Sequence, residues 1–216
     1  MNEIDPENTI WCGKETGGGD SCGGVAIMLA EKWWDKIFEI QYVSDRILRI
    51  RMVIGKLVSS FICVCAPQVG LSNQVKDHFY EKLIAMVADV PASEQLFVCG
   101  DWNGHIGTER AGYEDIHGGH AIGRRNDEGE RLLEFANAND LVVGNSVFEK
   151  QPKYLVVYQS GDANTQIDFL LYRRSFRRHV TKRKIHPWSK VCIPTPLACK
   201  RLQGYCTMPG KTKIHS

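Results

Sequence analysis

Two side chains stand out by type and spacing. Asp101 and Asn103 lie in Phe97-Val-Cys-Gly-Asp-Trp-Asn-Gly-His-Ile-Gly107, where a short apolar run, Leu96 to Cys99, breaks into a polar segment punctuated by glycine. Two residues apart in extended backbone, they project to the same side. A carboxylate and a carboxamide held together can grip a divalent cation, orient a water or contact a phosphate oxygen. Gly100 and Gly104 let the chain turn sharply around them. Taken alone, the segment also reads as a strand followed by an Asx-type turn. What favours chemistry is a second apolar strand carrying one carboxylate, Asp168, within Gln166-Ile-Asp-Phe-Leu-Leu-Tyr172.

These residues need a frame. Gly24 to Ala30 reads as a strand. Ile47 to Ile54 alternates basic and apolar residues and predicts a half-buried strand. The run Leu57 to Val64, apolar but for Ser59 and Ser60, predicts a central strand, ended by Ala66-Pro67. Ser72 to Val90 is the clearest helix. Ser72 is its cap, Val75, Phe79, Leu83, Met86, Val87 and Val90 form its stripe, and Pro91 closes it. A long loop rich in Gly and His, Gly104 to Arg125, leads to Asn126, which can cap a second helix with Leu132, Leu133 and Ala136 on one face. Short strands are expected at Leu141 to Val143, Tyr154 to Tyr158 and Gln166 to Tyr172. Two helices are too few for an eight-unit barrel. Stacked sheets with helices outside, an α/β sandwich, are the natural arrangement. No internal repeat or second domain is visible.

The chain has 216 residues, 43% hydrophobic and 24% charged, the composition of a soluble globular domain. Met1 to Glu7 is polar and does not resemble a signal peptide, and no apolar run is long enough to span a membrane. The eight cysteines form no close C-x-x-C pair, so they read as buried or incidental thiols of an intracellular protein, nuclear or cytoplasmic. The net charge of +2 hides a split. From Arg173 onward there are 12 Lys and Arg and no acidic residue, which leaves a net of −10 on the segment before it. A basic tail on an acidic body suits nucleic acid or an unfolded extension. Arg173, Arg174, Arg177 and Arg178 are candidates to face phosphates. The expected organisation is a ragged segment over 1–22, a domain over 23–180 and a basic, disordered tail over 181–216.

In their order, Gly100-Asp-x-Asn103 and Gln166-Ile-Asp-Phe-Leu-Leu171 make the chain resemble the endonuclease/exonuclease/phosphatase domain. The likeness is strongest to the endonuclease domain of non-LTR retrotransposon open reading frames, the group often labelled craniofacial development protein 2-like. It covers roughly residues 7–180. The resemblance implies a four-layer α/β sandwich, here truncated at both ends, that hydrolyses DNA phosphodiester bonds with Mg2+. It also implies that a reverse transcriptase was once attached downstream. Asp101 matches the family's water-activating Asp, Asn103 its water- and phosphate-orienting partner, and Asp168 the Asp that orients a catalytic His.

Other positions depart from the family pattern. Its Tyr-Ala-Pro motif appears as Cys65-Ala66-Pro67, which puts a thiol, a weak hydrogen-bond donor, in place of a phenol that contacts phosphate. Its metal-binding Glu matches Asn8, with Glu7 one residue earlier. The early Asn and the closing Ser-Asp-His or Gln-His motif have no counterpart, and His105, His117 and His120 are the histidines nearest the motifs. The expectation is an impaired, marginally stable Mg2+-dependent endonuclease-like domain. The alternative is a non-catalytic remnant that binds nucleic acid through its basic tail.

Overall fold

The computed structural model describes residues 9–12, 24–149, 158–160, 163–180 and 197–201. At its centre is a six-stranded mixed sheet in the order β3 (Ile37–Ser44), β4 (Ile47–Ile54), β5 (Leu57–Cys65), β6 (Gln95–Asp101), β10 (Asp168–Arg173), β7 (Leu141–Val143). β5 and β6 run parallel; the other neighbours are antiparallel. A parallel pair needs a crossover, and α1 (Asn73–Ala88) provides it.

Both faces of this sheet are covered, which is why β5 is apolar apart from the buried Ser59 and Ser60 over most of its length. Ile62, Val64, Leu96, Val98 and Leu171 face α1 and α2 (Asp127–Ala138). Phe61, Cys63, Cys65, Phe97, Cys99 and Leu170 face a three-stranded sheet, β1 (Thr9–Cys12), β2 (Val25–Leu29), β11 (Leu197–Arg201), through Ile10, Val25, Ile27 and Leu29. Helices, sheet and sheet thus stack as an α/β sandwich, three layers among the described residues. β11 pairs antiparallel with β2 from Leu197↔Leu29 to Arg201↔Val25. The expectation of a disordered tail therefore does not extend to residues 197–201. Of the strand expected over 154–158 only Tyr158 is described, in β8 (Tyr158–Ser160), which pairs with β9 (Ala163–Thr165).

Three local expectations are corrected. β4 is not half-solvated: Arg49 is 4% exposed and pairs with Glu39 at 2.9 Å and Asp89 at 2.7 Å. Arg51 joins the same network through Glu39 and Glu94. Basic residues on the helix-facing side are tolerated there because each finds a carboxylate. On α1, Val75 is 42% exposed, and the buried stripe begins instead at Lys76. The Lys76 ammonium reaches Glu128 of α2 at 2.7 Å and donates to the Val69 carbonyl at 2.9 Å. Ser72 occupies the cap position but satisfies Val75 and Lys76 with its backbone carbonyl rather than its hydroxyl. Asn126 behaves as expected, its Oδ1 accepting from the Gly129 N–H at 2.9 Å.

Strand β3 and the short 3-10 helix over Glu31–Lys36 went unread in the sequence. The latter places Trp33 and Trp34 against the inter-sheet core, as cover for the sheet. Cys63 and Cys65 are disulfide-bonded, whereas Cys99 is a buried free thiol. The reading of incidental thiols therefore fails at two positions.

Candidate active site at the ends of three strands

Cys65, Asp101 and Asp168 form one row across three strands. Cys65 is registered with Asp101 across β5 and β6, and Asp101 with Asp168 across β6 and β10. All three share the sheet face of Phe61, Cys63, Phe97, Cys99 and Leu170, because side chains two apart point the same way. The Trp102 N–H donates to the Ile167 carbonyl at 2.8 Å. That makes Trp102 and Ile167 the bonded pair and Asp101 and Asp168 the closer, non-hydrogen-bonded pair of the antiparallel ladder. The two carboxylates expected to do chemistry are thus brought side by side at the sheet's end. Asp101 is 4% exposed and Asp168 half-buried. Just below them, burial and the Asp168 charge push the Cys99 thiol up to about 12.

Asn103 is fixed by the backbone around it. Its N–H donates to Asp101 Oδ1 at 2.9 Å, and its Nδ2 donates to the Ala66 carbonyl at 2.7 Å. The second bond requires the NH2 end of the carboxamide to face Ala66, which turns Oδ1 away as an acceptor. The pose needs φ +49° at Asn103, a left-handed conformation that Asn adopts more readily than most residues. Gly100, at φ +143°, lies so close to β5 that a Cβ there would sit 1.9 Å from the Val64 carbonyl oxygen. Only glycine lets β6 deliver Asp101 at this register.

Other expected site residues fall differently. The Cys65 sulfur is 1% exposed and disulfide-bonded, so it has no proton to donate. The four arginines leave the site altogether. Five residues of β10 separate Asp168 from Arg173, about 17 Å along the strand. Arg173 donates to the carbonyls of Val90, Pro91 and Glu94. Arg174 pairs with Asp115 and Asp140. Arg177 donates to the Asp115 carbonyl, and Arg178 is exposed on the same 3-10 turn, Arg174–His179. They sit at the opposite end of the sheet because β10 runs away from the site. Glu7 lies outside the described residues. His117 is 1% exposed, with Nε2 3.0 Å from the Gly107 carbonyl and Nδ1 accepting from the Gly119 N–H at 2.8 Å. Both ring nitrogens are thus committed to the loop. His105 and His120 are half-buried in that loop.

Two residues at the site were not singled out in the sequence. Arg46, in the turn between β3 and β4, donates to the carbonyls of Cys65 at 3.2 Å and Ala66 at 3.4 Å. Asn145 accepts from the Leu170 N–H at 2.7 Å. A basic residue in a tight turn and an Asn after a strand are ordinary local chemistry, so neither carries a readable signal.

The donor set is oxygen, which suits a hard cation such as Mg2+. Asp101 and Asp168 offer carboxylates. Gln166, two residues before Asp168 and 3% exposed, has a buried Oε1 with no hydrogen-bond partner. Among the described residues, no group of three or more His, Cys, Asp or Glu could hold a metal. A further carboxylate would have to come from outside them.

No family model matches the chain. It is 29% identical over 166 residues, 76% of its length, to craniofacial development protein 2 of Bos taurus, and 28% identical over 166 residues to that of Tragulus javanicus. The chain spans only 28% and 29% of those relatives' lengths. Among solved structures, it resembles the endonuclease domain of TRAS1, a telomere-specific non-LTR retrotransposon, with a TM-score of 0.53 at 10% identity, over 79% of this chain and 68% of that one. The fold is that of the endonuclease/exonuclease/phosphatase domains, and the chain is similar in sequence to craniofacial development protein 2. No helix among the described residues is long and apolar enough to cross a membrane.

Proposed function

We propose that this chain is a retroelement-derived, Mg2+-dependent DNA endonuclease-like domain with weakened turnover. The observation that carries this reading is the registered pair Asp101 and Asp168, with Asn103 locked beside it. Asp101 is the general base, taking a proton from the attacking water. Asn103 aims that water: with Nδ2 committed to Ala66, its Oδ1 accepts from the water's other hydrogen. Asp168 lies across the ladder to hold a donor that stabilises the phosphoryl oxygens. Asp101 and Asp168, with Gln166, would hold Mg2+, which would supply positive charge beside the phosphoryl oxygens.

Turnover is weakened because the phenol that should reach the phosphate is replaced by a buried, oxidised sulfur at Cys65. Losing one such donor costs about 10²–10³ in rate at an oxyanion-type site. The test is nicking of supercoiled plasmid with Mg2+. Slow nicking that chelator and Asp101→Ala both abolish is expected. Nicking that survives both would overturn the assignment. DNA binding that persists in chelator without nicking, and weakens steeply with salt, would leave a binding remnant.

A further inference from the structure

Strand β10 runs out of neighbour where the site begins. β7 pairs with it only at Leu171, Tyr172 and Arg173. At Gly144 the chain leaves the ladder for the single turn α3 (Gly144–Val147). Backbone groups of a strand alternate in direction. Ile167 bonds to Trp102 of β6, so the Asp168 carbonyl and the Leu170 N–H point to the other side, the one β7 has vacated. Asn145 fills that gap. Its Oδ1 accepts from the Leu170 N–H at 2.7 Å, and its Nδ2 lies 3.4 Å from the Asp168 carbonyl oxygen. One carboxamide, 6% exposed, thus does the work of one residue of strand. α3 is pinned independently. The Ser146 hydroxyl donates to the Val143 carbonyl at 2.7 Å and accepts from the Gly118 N–H at 3.0 Å. The Ser146 carbonyl accepts from the His120 N–H at 3.1 Å.

We propose that Asn145 is a positioning residue of the carboxylate site: by holding the backbone of residues 168–170 it sets where Asp168 stands opposite Asp101. The inference rests on reading that pair as the reactive site. Without the carboxamide, a buried N–H and a buried carbonyl lose their partner together, and the start of β10 is held from one side only. Asp168 then relaxes away from Asp101. The close approach of the two α-protons, which a non-hydrogen-bonded antiparallel pair enforces, is then lost.

That approach is the readout. In metal-free protein at neutral pH, the cross-strand NOE between the α-protons of Asp101 and Asp168 is compared with that between Phe97 and Tyr172, a pair of the same type farther along the ladder. In Asn145→Ala the ratio of the first NOE to the second falls by about half or more. Ser146→Ala loosens α3 without touching β10; it lowers the melting temperature and leaves the ratio as in the parent. Asn145→Ser stays polar but is too short to span both backbone groups, and it lowers the ratio in the same direction. It serves as the second variant if Asn145→Ala does not fold. A parental ratio in either folded Asn145 variant, or an equal fall in Ser146→Ala, overturns the proposal. The readout needs neither metal nor DNA. Absence of nicking therefore counts against the proposed reaction alone, and an unchanged ratio in a protein that nicks counts against Asn145 alone.

Discussion

Asp101 and Asp168 face each other across neighbouring antiparallel strands, on one face of the sheet and in its closer type of pair. Like charges directly opposite on a sheet repel. A cation between them relieves that repulsion, and only in the folded chain, where the two strands meet.

Mg2+ therefore raises the melting temperature. At about 10 mM Mg2+ and a dissociation constant of about 1 mM, binding adds about 1.4 kcal/mol, or roughly 3–6 °C for a chain of this size. The increment is lost in Asp101→Asn and in Asp168→Asn. Thermal melts with Mg2+ and with chelator check it, and an equal increment in all three proteins would remove the pair as the binding site.

Gly100→Ala abolishes folding. The added Cβ would lie 1.9 Å from the Val64 carbonyl oxygen, at a backbone angle of +143°. Overpacking of this kind costs about 1–3 kcal/mol or more even before the backbone strain. Gly55→Ala is the control. Gly55 also has positive φ, at +63°, but an added Cβ meets nothing within 4 Å, so it loses only about 1 kcal/mol. Soluble yield and urea midpoints separate the two.

Arg173 acts on stability rather than on DNA. Its guanidinium gathers three carbonyls around the end of α1 and the start of β6. Burial lowers its pKa, the sign of a group drawn away from water. Arg173→Ala costs about 1–3 kcal/mol by urea unfolding, while the salt slope of DNA binding stays as in the parent. A shallower slope would restore Arg173 to the phosphate-binding set.

His117 makes the fold acid-sensitive. Burial holds its pKa below the ordinary 6.5. Its Nδ1 accepts from the Gly119 N–H, so protonation would set donor against donor. With the folded pKa depressed, the unfolded chain binds more protons in the window just below 6.5, and stability rises with pH there. The contribution is complete above about 6.5 and is lost as pH falls from there toward the folded value. Urea midpoints at about pH 7.5 and about pH 5 should differ more in the parent than in His117→Gln. An equal difference would assign the acid sensitivity to other groups.

The legible parts of the chain are those where one residue type serves one purpose. The runs behind β2, β4, β5 and β6 were readable because buried strands need continuous or alternating apolar residues. Asn126 was readable because a cap needs only its own helix. β3 was missed because, as an edge strand with Phe38 52% and Tyr42 58% exposed, it carries no clean alternation. Lys76 broke the α1 stripe for a reason no local pattern contains: its partner Glu128 is fifty-two residues away. The distance of the arginines from the carboxylates was not legible because charge says nothing about direction along β10. Asp101, Asn103 and Asp168 could be singled out by type and spacing, but the row that Cys65, Asp101 and Asp168 form across three strands is a matter of register. Asn145 was hidden because its role is to imitate backbone.

Asn103 is oriented by the carbonyl of Ala66, and every amino acid presents the same carbonyl. Whatever residue comes to occupy position 66, that anchor is still on offer, whereas the role of position 65 disappears with its side chain. In a gene copy free to accumulate substitutions, features written in main chain outlast features written in side chains. The anchor of Asn103 is thus insulated from substitution at position 66, as a contact made by the side chain at position 65 is not.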